Sequence, residues 1–266
     1  MNNVGKAIRL ERIMNRNTGK TVVVPMDHGA TVGPIKGLVD LSKAVNQIAE
    51  GGANAVIGHI GLPKYGHRKK GKDIGLILHL SASSILSPKP NKKVIVNTVE
   101  NALRMGADGV SIHVNIGDDD EADMIKDFGK VVTECNYWGM PLIAMVYPRG
   151  KQITDDKDVE VVKIAARIGA ELGADFVKTN YTGDPESFSK VVEGCHAPIL
   201  IAGGSKLSDK ETFAMIEGAM LAGAKGLSIG RNAFQHKNPV AFVNAACAIV
   251  HDGVSAQQAL AMLNNC

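Results

Sequence analysis

The sequence predicts a single-domain α/β protein of the TIM, or (β/α)8, barrel class, and three observations predict it. Eight short apolar runs recur along the chain, each followed by a linker or an amphipathic stretch. Glycine-alanine pairs punctuate the passage from helix back to strand. The length of 266 residues suits one barrel, a fold that takes roughly 250 residues as a single unit.

The runs are TVVVPMDHG (21–29), NAVIGHI (54–60), GLILHLS (75–81), DGVSIHVN (108–115), PLIAMVY (141–147), DFVKTN (175–180), PILIAGG (198–204) and GLSIGRN (226–232). Near-continuous apolar runs separated by helical stretches indicate parallel strands joined by crossovers. An open doubly wound sheet would share this alternation; eight strands in order favour closure. The connecting helices show their own period. Met124, Phe128, Val131, Val132 and Cys135 fall at helical spacing, as do Val161, Ile164, Ala165, Ile168 and Leu172. Trp138 extends the stripe of Cys135. Val4, Ile8, Leu10, Ile13 and Met14 predict a short amphipathic helix ahead of the first strand, and VSAQQALAML (254–263) predicts one after the last. GGANAV (51–56), MGADGV (105–110), LGADFV (172–177) and AGAKGL (222–227) place glycine where a helix ends and the chain turns back.

Composition narrows the function classes. A formal net charge of +3 is too small to imply a nucleic-acid partner. No apolar run reaches the roughly 18 to 20 residues that span a bilayer, so no membrane role is expected. The charged start carries no signal-peptide core. Cys135, Cys195, Cys247 and Cys266 show neither metal spacing nor a disulfide framework. A soluble protein of the reducing cytoplasm is the expectation. The basic run His67, Arg68, Lys69, Lys70 and Lys72 is read as a solvated loop.

In a barrel of this class the site forms at the carboxyl ends of the strands. Lys178 is the most informative residue there. It interrupts an apolar strand between Val177 and Thr179, and alternation sets it on the face of Phe176 and Asn180, the barrel interior. A partly desolvated amine can attack a carbonyl as a free base; a structural lysine paired with Asp27 is the alternative. Tyr147 ends its strand before Pro148 and could pass a proton to a substrate hydroxyl, or simply pack at the rim. Asp27, in PMDHG, could accept a proton or form an ion pair. Gly203 and Gly204 end the seventh strand, and Gly230 and Arg231 the eighth. Such ends can hold phosphate on backbone N–H groups, a short helix starting at Asn232 and the Arg231 guanidinium adding to the grip. His59, His79 and His113 could bind zinc in principle, but they lack paired ligand spacing and read as core histidines.

With MDHG, VYPRG, VKTNYTGD, IAGG and IGRN in order over nearly the whole chain, the sequence resembles the archaeal-type class I aldolase family. GPIKGL (33–38), EGGANAV (50–56), GKDIGLILHLS (71–81) and YWGMPLIAMVYPRGK (137–151) resemble a transaldolase branch. That branch supplies an early intermediate on an alternative route to 3-dehydroquinate and the aromatic amino acids. The resemblance implies a Schiff base on Lys178, with Tyr147 the proton donor and Asp27 the proton acceptor. It implies that Asp27, His28, Gly29, Ala30, Thr31, Tyr147, Pro148, Arg149, Gly203, Gly204, Gly230 and Arg231 line a sugar-phosphate site. It implies phosphorylated ketose and aldehyde substrates, no cofactor, no metal, and a homo-oligomer, a decamer of stacked rings. The same apparatus suits a class I fructose-bisphosphate aldolase. A catalytically silent sugar-phosphate-binding protein is the alternative from another class.

Overall fold

The computed structural model describes residues 3–66, 68 and 70–265. His67 and Lys69 of the basic run, and Cys266, lie outside the described residues. The described residues form ten strands: β1 (Thr21–Pro25), β2 (Ala55–Gly58), β3 (Gly75–His79), β4 (Ser81–Ala82), β5 (Val94–Ile95), β6 (Gly109–Ile116), β7 (Leu142–Pro148), β8 (Phe176–Thr179), β9 (Ile199–Ala202) and β10 (Gly226–Ser228). All but β4 and β5 close into a parallel barrel in the order β1-β10-β9-β8-β7-β6-β3-β2. Closure rests on β1 pairing with β10, Val23 opposite Ser228, and with β2, Val23 opposite Ala55. The barrel class expected from the sequence is the observed fold. β4 and β5 form an antiparallel hairpin on the excursion between β3 and β6, which no sequence signal marked.

Helices fill the crossovers: α1 (Val4–Ile13), α2 (His28–Val32), α3 (Leu41–Glu50), α4 (Gly61–Tyr65), α5 (Val99–Arg104), α6 (Glu121–Trp138), α7 (Val159–Glu171), α8 (Pro185–Glu193), α9 (Asp209–Leu221), α10 (Arg231–Phe234), α11 (Pro239–Cys247) and α12 (Ala256–Asn264). A π-helical turn, Ala248–Asp252, follows α11. Asp158, Asp184, Ser208 and Ser255 cap the starts of α7, α8, α9 and α12 with side-chain oxygens. The four glycine-alanine junctions each hold one glycine in the left-handed region, Gly52, Gly106, Gly173 and Gly223. No described helix is long and apolar enough to cross a membrane.

Strand alternation divides the core in two. Val23, Ala55, Ile57, Ile77, Ile143, Met145, Phe176 and Leu200 fill the barrel interior. Phe128, Phe188, Phe213 and Phe242 pack, fully buried, in the layer between barrel and helices. Ile13 of α1 joins the interior cluster with Leu10 and Met14 beside it. The Ile13 carbonyl accepts a hydrogen bond from the Thr21 hydroxyl, and Arg12 pairs with Asp73 and Asp108. These contacts seat α1 across the amino-terminal mouth. One end of the barrel is thereby stoppered, and side chains at the carboxyl end face the open one.

Three local expectations need correction. The first strand stops at Pro25, and residues 28–32 turn into α2, ended by Gly33 at φ 77°. On α7 the buried face is Val162, Ala165, Ala166 and Gly169, while Ile164 is exposed. The helix rotates because Gly169 lets it approach the sheet so closely that an added Cβ would lie 2.8 Å from Val177. Trp138 is 41% exposed, packed edge-on against Tyr137, whereas Cys135 on the same helix is fully buried.

Candidate active site

The carboxyl ends of the strands open on a cavity of about 1020 Å³. Lys178 lies on its wall, 7% exposed, in register with Met145 of β7 and Leu200 of β9. Phe176, two residues earlier, belongs to the interior cluster, and Val177 to the outer one. The lysine therefore points into the barrel, as alternation predicts. No carboxylate of the described residues forms an ion pair with it.

Tyr147 stands two residues beyond Met145 on β7, roughly 6–7 Å nearer the mouth. It is 6% exposed and lines the cavity. Its ring is held on two sides: His113 meets it edge-on at 5.0 Å between centroids, and the Arg149 guanidinium lies 4.8 Å over its centre. The His113 Nε2 is in turn 2.8 Å from the Asn115 Oδ1.

Asp27 follows the end of β1 and makes no capping bond to α2, so its carboxylate is free to face the cavity. Three imidazoles surround it. His79 Nε2 lies 3.8 Å from one oxygen and His28 Nδ1 3.7 Å from the other. His59 packs on His79 at 5.2 Å and bonds the His79 carbonyl through Nδ1. Burial raises the Asp27 carboxyl, but His79, His28, Lys178 and His59 outweigh it and hold the group at about 2. Burial also pushes His79 down to about 4, against the opposing pull of Asp27. Burial lowers His28, His59 and His113 as well. At neutral pH the cluster is an anion set among uncharged rings.

The folded His79 imidazole resists a proton down to about 4, whereas an unfolded one accepts it near 6.5. Acid therefore favours unfolding across that interval. Asp27 extends the effect lower, from 3.8 toward about 2, where its folded-state advantage is lost. Thermal melts between pH 7 and pH 4 should show stability falling with pH. His79→Gln should flatten the fall; an unchanged slope would remove His79 as a cause.

Gly203, Gly204, Gly230 and Arg231 all line the cavity. Gly230 is fixed by crowding, because a Cβ there would lie 2.8 Å from the Pro25 carbonyl oxygen and 2.7 Å from His28. Helix α10 begins at Arg231, one residue before the expected start, and Asn232 is buried, accepting a bond from the Leu207 amide. The Arg231 Nη2 donates to the Gly204 carbonyl at 2.6 Å.

Of the other expected lining residues, His28, Thr31 and Arg149 face the cavity. Gly29 and Ala30 do not; they are exposed on α2 because the chain turned helical there. Pro148 is buried at the end of β7 and sets the exit of the chain before Arg149. Sequence reasoning passed over Lys93, His79 as a partner of Asp27, and Ser228, a buried cavity residue whose hydroxyl has no hydrogen-bond partner among the described residues. Alternation along LSIG would have pointed Ser228 inward. Lys93 sits on the irregular excursion and carried no periodic signal. Among the described residues no group of three or more His, Cys, Asp or Glu side chains is arranged to hold a metal.

Chemically, the cavity sets a primary amine, a phenol and an ionised carboxylate around one space. Comparisons with known proteins show the family. The chain is 42% identical over 261 residues to 2-amino-3,7-dideoxy-D-threo-hept-6-ulosonate synthase of Halobacterium salinarum, spanning 98% of this chain and 97% of that one. It is 43% identical over 257 residues to 2-amino-3,7-dideoxy-D-threo-hept-6-ulosonate synthase 1 of Archaeoglobus fulgidus, covering 97% and 95%. Among solved structures, a Schiff-base-forming fructose-1,6-bisphosphate aldolase superposes with a TM-score of 0.85 at 30% identity, over 92% of this chain and 99% of that one. The family model for DeoC/LacD family aldolases matches residues 21–236. The chain belongs to the DeoC/LacD aldolase family.

Proposed function

We propose that this enzyme is a Schiff-base transaldolase, a 2-amino-3,7-dideoxy-D-threo-hept-6-ulosonate synthase, with Lys178 as its nucleophile. The observation that carries the reading is an amine on an inward strand position, lining the cavity and unclaimed by any carboxylate of the described residues. The near full-length likeness to two synthases supports the choice of reaction.

In the proposed cycle, Lys178 adds to the deoxy-end ketone of 6-deoxy-5-ketofructose 1-phosphate and loses water to give an iminium. A base removes the proton of the hydroxyl beyond the scissile bond. That carbon–carbon bond breaks, and its electron pair moves into the iminium. Hydroxypyruvaldehyde phosphate departs and a hydroxyacetone enamine remains. The enamine carbon then attacks the aldehyde of L-aspartate semialdehyde, whose oxygen takes a proton, and water releases the product from the lysine. Dividing one difficult exchange into two easier steps is the benefit of the covalent bond. The product would feed the route to 3-dehydroquinate and the aromatic amino acids.

Tyr147 is proposed as the proton donor and Asp27 as the acceptor. A carboxylate held at about 2 is a weak base, so a proton it takes is passed on quickly. Its standing contribution is negative charge beside the iminium. Thr31, Arg149, Gly203, Gly204, Gly230 and Arg231, with His28, would line the substrate.

Fructose 1,6-bisphosphate is the second candidate donor, favoured by the likeness to a Schiff-base-forming aldolase of that sugar. Turnover of the two donors side by side, with borohydride trapping and peptide mapping, tests the reading. The deoxyketose with aspartate semialdehyde should give the higher kcat/KM, and the adduct should map to the peptide carrying Lys178. Faster cleavage of the bisphosphate would make the enzyme a fructose-bisphosphate aldolase instead.

A further inference from the structure

A transaldolase exchanges one aldehyde for another on a common enamine. Both aldehydes react at the same enamine carbon, so their carbonyl groups must occupy the same point of the cavity. In hydroxypyruvaldehyde phosphate the phosphate lies a short way along the chain from that carbonyl. In aspartate semialdehyde the carboxylate lies at a similar reach. One cationic subsite can therefore serve both anions in turn.

The cavity has cations on two sides of β8. Arg231, beyond β10, already donates to the Gly204 carbonyl at 2.6 Å. Lys93 and Arg149 stand on the opposite side, over β3, β6 and β7, and both line the cavity. The nearby lysines Lys89, Lys92 and Lys151 are taken by Asp120, Asp123 and Asp119. No carboxylate of the described residues pairs in this way with Lys93 or Arg149. The Lys93 ammonium is instead steadied by the Ser83 hydroxyl and by the Pro90 carbonyl at 3.2 Å.

Burial, then the charge of Arg149, lowers the Lys93 ammonium, and Asp27 pulls the other way. Two cations on one cavity wall, partly out of water and each within reach of the other's charge, are costly unless an anion joins them. They also share the cavity wall with Tyr147. Arg149 covers the ring of Tyr147, and the Tyr147 phenol is the proposed donor to that aldehyde's oxygen.

We infer that Lys93, together with Arg149, is the specificity-determining anion subsite for the exchanged aldehyde, holding first the phosphate of the departing fragment and then the carboxylate of the incoming one. The inference rests on the transaldolase reading.

Hydroxyacetone as the enamine source removes the donor phosphate from the test. Two acceptors of comparable length are compared, succinic semialdehyde, which carries a carboxylate, and butanal, which does not. Lys93→Gln should raise KM for the anionic aldehyde by about tenfold to a hundredfold, the loss of one charge-assisted hydrogen bond. The penalty for butanal should be at least about tenfold smaller. Lys93→Arg, which keeps the charge and controls for folding, should recover most of the loss. An equal penalty on both aldehydes would overturn the inference, as would an anion-selective loss in Arg231→Gln but not in Lys93→Gln. Failure of the unsubstituted enzyme to form a borohydride adduct with any ketone is a different result; it removes the transaldolase reading and this subsite with it.

Discussion

Lys178→Met should abolish borohydride trapping and lower kcat by at least about four orders of magnitude, the scale seen when a covalent nucleophile is removed. Without the amine no iminium forms, and the scissile bond has nowhere to send its electrons. Methionine is unbranched and of similar length, and it would enter a row already holding Met145 and Leu200. It also takes a polar head group out of a site only 7% exposed, which relieves a desolvation cost, while the interaction that helps hold Asp27 low is lost. The two effects oppose each other, and melting should occur near the parent temperature. Mass spectrometry after reduction with donor reads the first outcome and calorimetry the second. An adduct that survives the substitution would transfer the nucleophile to another lysine.

Tyr147→Phe should separate adduct formation from turnover. The ring keeps its contacts with His113 and Arg149, so the wall of the cavity is preserved and only the hydroxyl is lost. A positioned proton donor contributes about 10²- to 10⁴-fold, and kcat should fall within that range while trapping on Lys178 persists. Rapid-quench kinetics would place the loss after the Schiff base. Undiminished kcat would show that another group carries the proton.

Much of the fold was legible because a parallel barrel buries both faces of its strands. That demand produces apolar runs without strict alternation; six of the eight barrel strands fall inside the expected runs, and β6 and β7 overrun theirs by one residue, to Ile116 and Pro148. The turn-back glycines were legible for a related reason: Gly52, Gly106, Gly173 and Gly223 must adopt a backbone conformation that other residues resist. The errors arose where packing overrides period. The buried stripe of α7 is displaced by one residue because a small glycine, not a large apolar side chain, faces the sheet.

The site divides along the same line. Lys178 stood out because a charge in an apolar strand demands an explanation, and Tyr147 and Asp27 because they sit at strand ends. Gly29 and Ala30 were misplaced because nothing in DHGAT separates a strand end from a helical turn. Lys93 was invisible for a deeper reason. An irregular excursion has no repeat, so the direction of its side chains is decided by tertiary contacts such as those with Ser83 and Pro90.

The stopper formed by α1 makes the reaction chamber a cul-de-sac. With Ile13 wedged below and the cavity opening above, a departing aldehyde and its replacement use the same corridor and take turns in it. Such traffic enforces a double-displacement order, in which the first product leaves before the second substrate enters. The covalent enamine is what the enzyme keeps hold of while the doorway changes hands.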